Sequence, residues 1–280
     1  MMKDTTITIL CENMVGRRGS AEHGFSALIE RNGDSYLFDT GGGKFIVDNA
    51  ITFGKRLEDI TGIILSHGHD DHVGGLKKVL EQTGPVPVYG HPDMFADRYL
   101  MKETADGTDF VYKGIPFKTE FLESLGARFV LNREFVEIAD GMYLTGEVPR
   151  LTDFETLDEK QKRKVGDEWT TESFPDDQSL LLKTDRGLVV IFGCAHAGMI
   201  NIIRHAVTKT GEERIHGIIG GTHLGFLDDA RRETSIAELK KMSMDFVGVS
   251  HCTGIMAASR LAQEFGDRFI YGQVGTVFTA

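Results

Sequence analysis

Apolar and polar positions alternate in short blocks along the chain, and the blocks predict a succession of strands and helices. Residues 5–10 alternate Thr with Ile, the period-two pattern of a strand. Residues 25–30 and 35–38 read as two more strands, joined at Asn32-Gly33, a dipeptide that suits a two-residue hairpin turn. Residues 62–65, Gly-Ile-Ile-Leu, form a continuous apolar run of the kind that makes a buried strand. Leu76, Val79 and Leu80 then recur at helical spacing with Lys77 and Lys78 turned outward. Residues 86–89 predict another strand, and His91-Pro92-Asp93 predicts the start of a helix reaching about Thr104. Strands are expected near 127–131, 135–138 and 142–145. Residues 179–183 and 188–192 should pair across Asp185-Arg186-Gly187. Met199, Ile202, Ile203, Ala206 and Val207 mark a helix. Residues 215–219 and 246–249 are further short strands, and a last helix ends near Phe265.

One stretch breaks this rhythm. Residues 147–177 hold a charged run, Asp153 to Glu168, with few apolar anchors, which predicts a solvated helix or loop. A lid over a site is the sharper expectation, with Trp169 and Phe174 available to touch a ligand. Strand patterns resume after it, so it reads as an insertion within one domain spanning 1–280.

The chemistry gathers where strands end. Ser66-His67-Gly68-His69-Asp70-Asp71-His72 follows the strand at 62–65 and precedes a helix, crowding imidazoles and carboxylates on a tight loop as a zinc-type site requires. Three later strands also end in histidines: His196 in Gly193-Cys194-Ala195-His196, His223 in Gly220-Gly221-Thr222-His223, and His251 in Ser250-His251-Cys252. Open α/β proteins place ligands at the carboxyl ends of strands, so the four belong together. His91 reads as a structural or surface histidine. The run Asp39-Thr40-Gly41-Gly42-Gly43 could cradle a phosphate, although it lacks the Lys-Ser/Thr of a P-loop.

His67-x-His69-x-Asp71-His72 resembles the HxHxDH signature of the metallo-β-lactamase superfamily. The resemblance covers essentially the whole chain. It implies an α/β fold of two mixed β-sheets packed face to face with helices outside, an αββα four-layer sandwich. It assigns His67 and His69 to one metal and Asp71 and His72 to a second, with His251 as the final histidine ligand. Asp39 resembles a residue behind the ligands that orients a histidine; a turn carboxylate bonded to local backbone is the alternative. Where most members carry a bridging Asp, this chain has Gly-Cys-Ala-His, so His196 and Cys194 are expected to replace lost ligands. Asp177, or else Glu147, would fill the remaining position.

Phe38-Asp39-Thr40-Gly41 and Ser250-His251-Cys252-Thr253-Gly254 further resemble one branch of the superfamily. That branch holds archaeal enzymes joining a hydroxymethyl-dihydropterin diphosphate to a ribofuranosyl-aminobenzene phosphate, together with bacterial relatives. The expected cofactor is one or two divalent metals, zinc first, with iron or manganese as alternatives. The expected function is a metal-dependent hydrolase of a small phosphorylated or ester substrate, with Asp71 ligating or orienting and His223 protonating a leaving group. A transferase and a non-catalytic metal-binding sensor are the competing readings. Arg17 and Arg18 could serve phosphate.

Composition narrows the partners. A net charge of −11 and a pI near 5.4 argue against nucleic acid and anionic membrane. Three widely spaced cysteines, Cys11, Cys194 and Cys252, argue against a disulfide framework. The residues before Cys11 lack the apolar core of a signal peptide, and no apolar run approaches the roughly 20 residues of a membrane helix. A cytoplasmic protein with a small-molecule substrate is expected, self-associating at most into a homodimer.

Overall fold

The structure is a computed structural model and describes residues 5–280. In chain order, β1 (Thr5–Cys11), β2 (Ser26–Arg31), β3 (Asp34–Phe38), β4 (Gly62–Ile64) and β5 (Val86–Gly90) build the first sheet. The excursion β6 (Arg98–Thr104) and β7 (Gly107–Tyr112) precedes its edge strand β8 (Ala127–Leu131). Next come β9 (Val136–Ala139), β10 (Met142–Leu144), β11 (Gln161–Val165), β12 (Glu168–Thr171), β13 (Leu180–Thr184) and β14 (Gly187–Phe192). The last four are β15 (Ile215–Gly220), β16 (Phe246–Val249), β17 (Phe269–Tyr271) and β18 (Val277–Thr279).

Two seven-stranded sheets result, ordered β18-β1-β2-β3-β4-β5-β8 and β17-β16-β15-β14-β13-β10-β9, with a small sheet β12-β11-β6-β7 beside them. Both large sheets are mixed: β3, β4, β5 and β8 run parallel, as do β14 to β17, while the remaining neighbours pair antiparallel, β18 reaching back to β1 from the other end of the chain. The Asn32-Gly33 turn closes β2 on β3 with both residues at positive φ, 55° and 91°, as a tight hairpin demands.

Side-chain alternation explains the layering. Ile7, Ile9, Ala27, Ile29 and Phe38 face Leu180, Leu182, Val189 and Ile191 of the opposite sheet in one buried cluster. Their neighbours Leu10, Leu28 and Leu37 point the other way, onto Ile46 and Ala50 of one helix and Leu76, Val79 and Leu80 of another. Leu181, Leu188, Val190 and Phe192 pack on Ile202, Ile203, Ile236, Leu239, Ala258 and Leu261. Strands buried on both faces read as unbroken apolar runs, which is why 62–65 and 188–192 look as they do. The expected four-layer αββα arrangement is what the chain forms.

Two expectations fail in the excursion. The helix expected from Asp93 to Thr104 is a single 3-10 turn, Pro92–Phe95, followed by β6. The charged run after Asp158 is a hairpin, β11 and β12, paired onto β6. These strands belong to a sheet whose faces are largely solvated, so long polar side chains hide any period of two. Aromatics give them their contacts: Trp169 stacks on Phe110 with centroids 3.9 Å apart, and Tyr99 meets Tyr112 and Trp169 edge-on.

Candidate metal centre

The loop after β4 and the loops after β14, β15 and β16 converge where the two sheets meet. His67 Nε2 lies 3.1 Å from His69 Nδ1, and the rings of both stand about 5 Å from the His196 ring. One nitrogen from each of the three falls within 4.8 Å of the others. The Nε2 atoms of His69 and His196 are buried without a hydrogen-bond partner. Burial above all holds the three imidazoles well below the usual histidine range. Three buried, convergent imidazoles, two of them with an unpartnered Nε2, fit a divalent cation.

Beside this trio, His72 Nε2 lies 3.2 Å from both His251 Nε2 and Cys194 Sγ. Burial opposes charge on His72, but the Asp39 and Asp71 carboxylates outweigh it and push the imidazole up to about 9. The proton then stands between acceptors where a cation would serve instead. Asp71 Oδ2 reaches His251 Nε2 at 3.3 Å and His23 Nε2 at 3.0 Å. Burial raises the Asp71 carboxyl, yet His72, His23 and His251 together hold it well below the carboxylate range.

Asp39 stands behind the centre. Its Oδ2 accepts from His72 Nδ1 at 2.7 Å and from the Ser66 hydroxyl at 2.7 Å, while its Oδ1 accepts from the Ser66 amide at 2.8 Å. Ser66 Oγ in turn lies 2.9 Å from His67 Nδ1. On the far side, Asn13 Oδ1 accepts from His251 Nδ1 at 3.0 Å, and buried Glu12 accepts the His251 amide at 2.5 Å. Asp39, Phe174, Ala195, His223 and His251 all adopt positive φ between 52° and 57°. Strain of this kind persists where surroundings over-determine a site. Close approach explains two glycines. A Cβ on Gly68 would stand 1.9 Å from the Met94 carbonyl oxygen, and one on Gly193 would stand 2.1 Å from Ser66 Oγ.

Several expected roles land elsewhere. Asp177 belongs to none of the convergent groups; its Oδ2 accepts the Ala197 amide at 2.8 Å and so braces the His196 loop. Glu147 pairs with Arg133 and with buried His91 at the surface. The glycine run cradles no free anion space, because the Glu22 carboxylate already accepts the amides of Lys44 and Phe45 at 2.7 and 3.2 Å. Arg17 and Arg18 line a different surface groove with Phe53 and Gln273. His223 does face the centre, its ring 4.3 Å from that of His196.

The centre floors a cavity of about 540 Å3. Across it stand Leu100, Lys102, Lys160 and Gln161 from the small sheet and its approach, with Lys113 and Phe226 at the sides. The residues behind the small sheet carry no spacing signal in the sequence. Arg98, fully buried, clasps Asp176 at 2.7 and 2.9 Å and Glu172 at 3.1 Å, and Asp176 accepts the Gly68 amide. Phe174 stacks on His196 with centroids 3.8 Å apart. His23 is equally silent, being a single polar residue in a loop.

Known proteins share this chain's sequence pattern and fold. The chain is 29% identical over 267 residues to the 7,8-dihydropterin-6-methyl-4-(beta-D-ribofuranosyl)-aminobenzene-5'-phosphate synthase of Methanocaldococcus jannaschii, covering 89% of this chain and 87% of that one. It is 33% identical over 275 residues to the uncharacterised protein MJ0448 of the same organism, covering 97% and 98%. The crystal structure of Tm1679, described as a metal-dependent hydrolase of the beta-lactamase superfamily, superposes with a TM-score of 0.84 at 27% identity over 98% of each chain. The family model of the metallo-beta-lactamase superfamily matches residues 19–199, which hold the histidine motif and the first two converging loops, and the chain belongs to that superfamily.

Proposed function

We propose that this metal-dependent enzyme breaks the bond between a small, partly apolar molecule and a phosphate or diphosphate group, with water as acceptor. The observation that carries this reading is the pairing, in one cavity, of the histidine centre with Lys102, Lys113 and Lys160. Lys102, Lys113 and Lys160 share the cavity lining with Asp71, Glu103 and Asp158, and Lys113 pairs with Asp70 at 3.2 Å, so the lysines would reach an anionic ligand alongside the cations of the centre. Leu100, Met101 and Phe226 offer the apolar contact that an organic moiety needs.

His67, His69 and His196 would hold one cation, and Asp71, His72 and His251 a second. Such ions supply Lewis acidity at a phosphoryl oxygen and acidify water at neutral pH. Asp39 keeps His72 and, through Ser66, His67 aimed at them. His23, exposed at the cavity mouth, lies 3.0 Å from Asp71, a bond that raises its imidazole above the usual histidine range, and we assign it the protonation of a departing oxygen. This relieves His223 of the donor role expected from the sequence.

The similarity to the dihydropterin synthase supports a second reading, in which a ribofuranosyl-aminobenzene phosphate replaces water and a dihydropterin methyl diphosphate is the donor. A panel of a diphosphate ester, a phosphodiester, a carboxylic ester and a β-lactam, run on metal-loaded and chelated protein, tests both. Turnover of the diphosphate ester, lost with chelator and restored by metal, supports the proposal. Diphosphate release only when an aromatic amine is added supports the transferase. Efficient β-lactam turnover, or equal rates in chelated protein, overturns the phosphate assignment.

A further inference from the structure

Two buried thiols at the floor of the cavity take no part in the mechanism above. Cys194 and Cys252 end different strands, β14 and β16, and arrive side by side. A Cβ placed on Gly221 would stand 2.5 Å from Cys252 Sγ and 3.4 Å from Cys194 Cα, so a glycine is needed there for them to meet. The third cysteine, Cys11, lies apart, with its sulfur 3.6 Å from Glu22.

His223 completes the group. One ligand atom from each of Cys194, Cys252 and His223 falls within 4.8 Å of the other two. The His223 amide donates to Cys252 Sγ at 3.4 Å, which ties the two loops together. Both His223 ring nitrogens are buried without a partner, an arrangement that leaves the imidazole with two unmet polar atoms. Its backbone is held at φ 57°, so the chain sustains a strained conformation to aim this ring. All three residues line the cavity, which gives an ion an entry path.

We infer that Cys194, Cys252 and His223 form a sulfur-rich cation site, adjoining the histidine trio and selective for a thiophilic divalent ion such as zinc or cadmium. Cys194 belongs both to this group and to the group of His67 and His72, so its sulfur links the two sets. Thiolates favour soft cations over magnesium or calcium, whereas the histidine trio and Asp71 discriminate less. Loading the site replaces the two thiol protons by one dication and releases both protons to solvent. Charge and atoms then balance without an oxidant. The inference does not depend on the substrate proposed above.

The test reads sulfur ligation directly. The reduced, chelated full-length chain is saturated with zinc and its zinc-edge X-ray absorption is recorded, while a parallel cadmium titration follows thiolate-to-metal charge-transfer absorption. Two sulfur neighbours per chain are expected in wild type. Cys252→Ser, checked for native circular dichroism, should lose one of the two thiolate contributions, and His223→Asn should retain both while binding cadmium more weakly. Zinc surrounded only by nitrogen and oxygen, a single sulfur in wild type, or a Cys252→Ser spectrum identical to wild type would overturn the inference. If Cys252→Ser does not fold, the wild-type sulfur count alone decides.

Discussion

Asp39 occupies the one point from which two ligand histidines are steered, directly at His72 and through Ser66 at His67. Replacing it with Asn keeps the size but puts a donor where an acceptor is needed. Asp39→Asn should weaken metal binding about 10- to 100-fold, as loss of an orienting carboxylate does elsewhere. Competition with a chromogenic chelator measures it, and unchanged affinity would remove Asp39 from the support of the centre. Asp177 offers a different test. Burial pushes its carboxyl from 3.8 to about 6, so the folded protein binds this proton more tightly than the unfolded chain. Its penalty is therefore absent below about pH 4 and fully present above about pH 6. In metal-free protein, Asp177→Asn should leave stability unchanged at pH 4 and raise it by on the order of 3 kcal/mol at pH 7. Urea unfolding at both values checks this, and a mutant destabilised at pH 7 would contradict it. At this scale the sequence is legible where spacing carries information. His67, His69, Asp71 and His72 declare themselves, and His196, His223 and His251 follow from strand ends. His23 acts through tertiary proximity, which no local pattern encodes, and the motifs that hold Ser66 and Cys252 do not tell what either one touches.

Strands and helices were easiest to read where both faces are buried, because such segments are continuously apolar. The small sheet escaped for the opposite reason: its strands carry Lys162, Arg163 and Lys164 on one side of a hairpin and Glu168 on the other, with aromatics clustered only after folding. It is also the wall that closes the cavity. Arg98 fastens it, since the guanidinium is buried against Asp176 and Glu172, and Arg163 adds a two-pronged pair to Asp93 at 2.6 and 2.9 Å. Arg98→Met would strand two buried carboxylates, and denaturant unfolding of the loaded protein should show a loss of about 3–5 kcal/mol. A loss below 1 kcal/mol would mean the network relaxes around its missing cation. Lys102→Ala with Lys160→Ala should raise KM for a diphosphate ester roughly tenfold and change kcat less, as removal of exposed charges that bind without reacting would do. An unaltered KM would leave the wall without a role in binding.

Across the whole molecule, each large sheet supplies half of the centre. The first gives His67, His69, Asp71 and His72; the second gives Cys194, His196, His223 and His251. The histidine trio draws His67 and His69 from one half and His196 from the other, so a cation held by it would fasten the halves to each other. No helix among the described residues is long and apolar enough to cross a membrane. The central claim is that the histidine trio holds the metal on which turnover depends. The most direct measurement is metal content per chain by elemental analysis, with turnover of a diphosphate ester on the same samples, for wild type and for His67→Ala combined with His69→Ala. At least about one zinc, iron or manganese is expected per wild-type chain, and in the double variant both a lower metal content and no turnover. A correctly folded double variant that keeps its full metal content and its activity would contradict that claim.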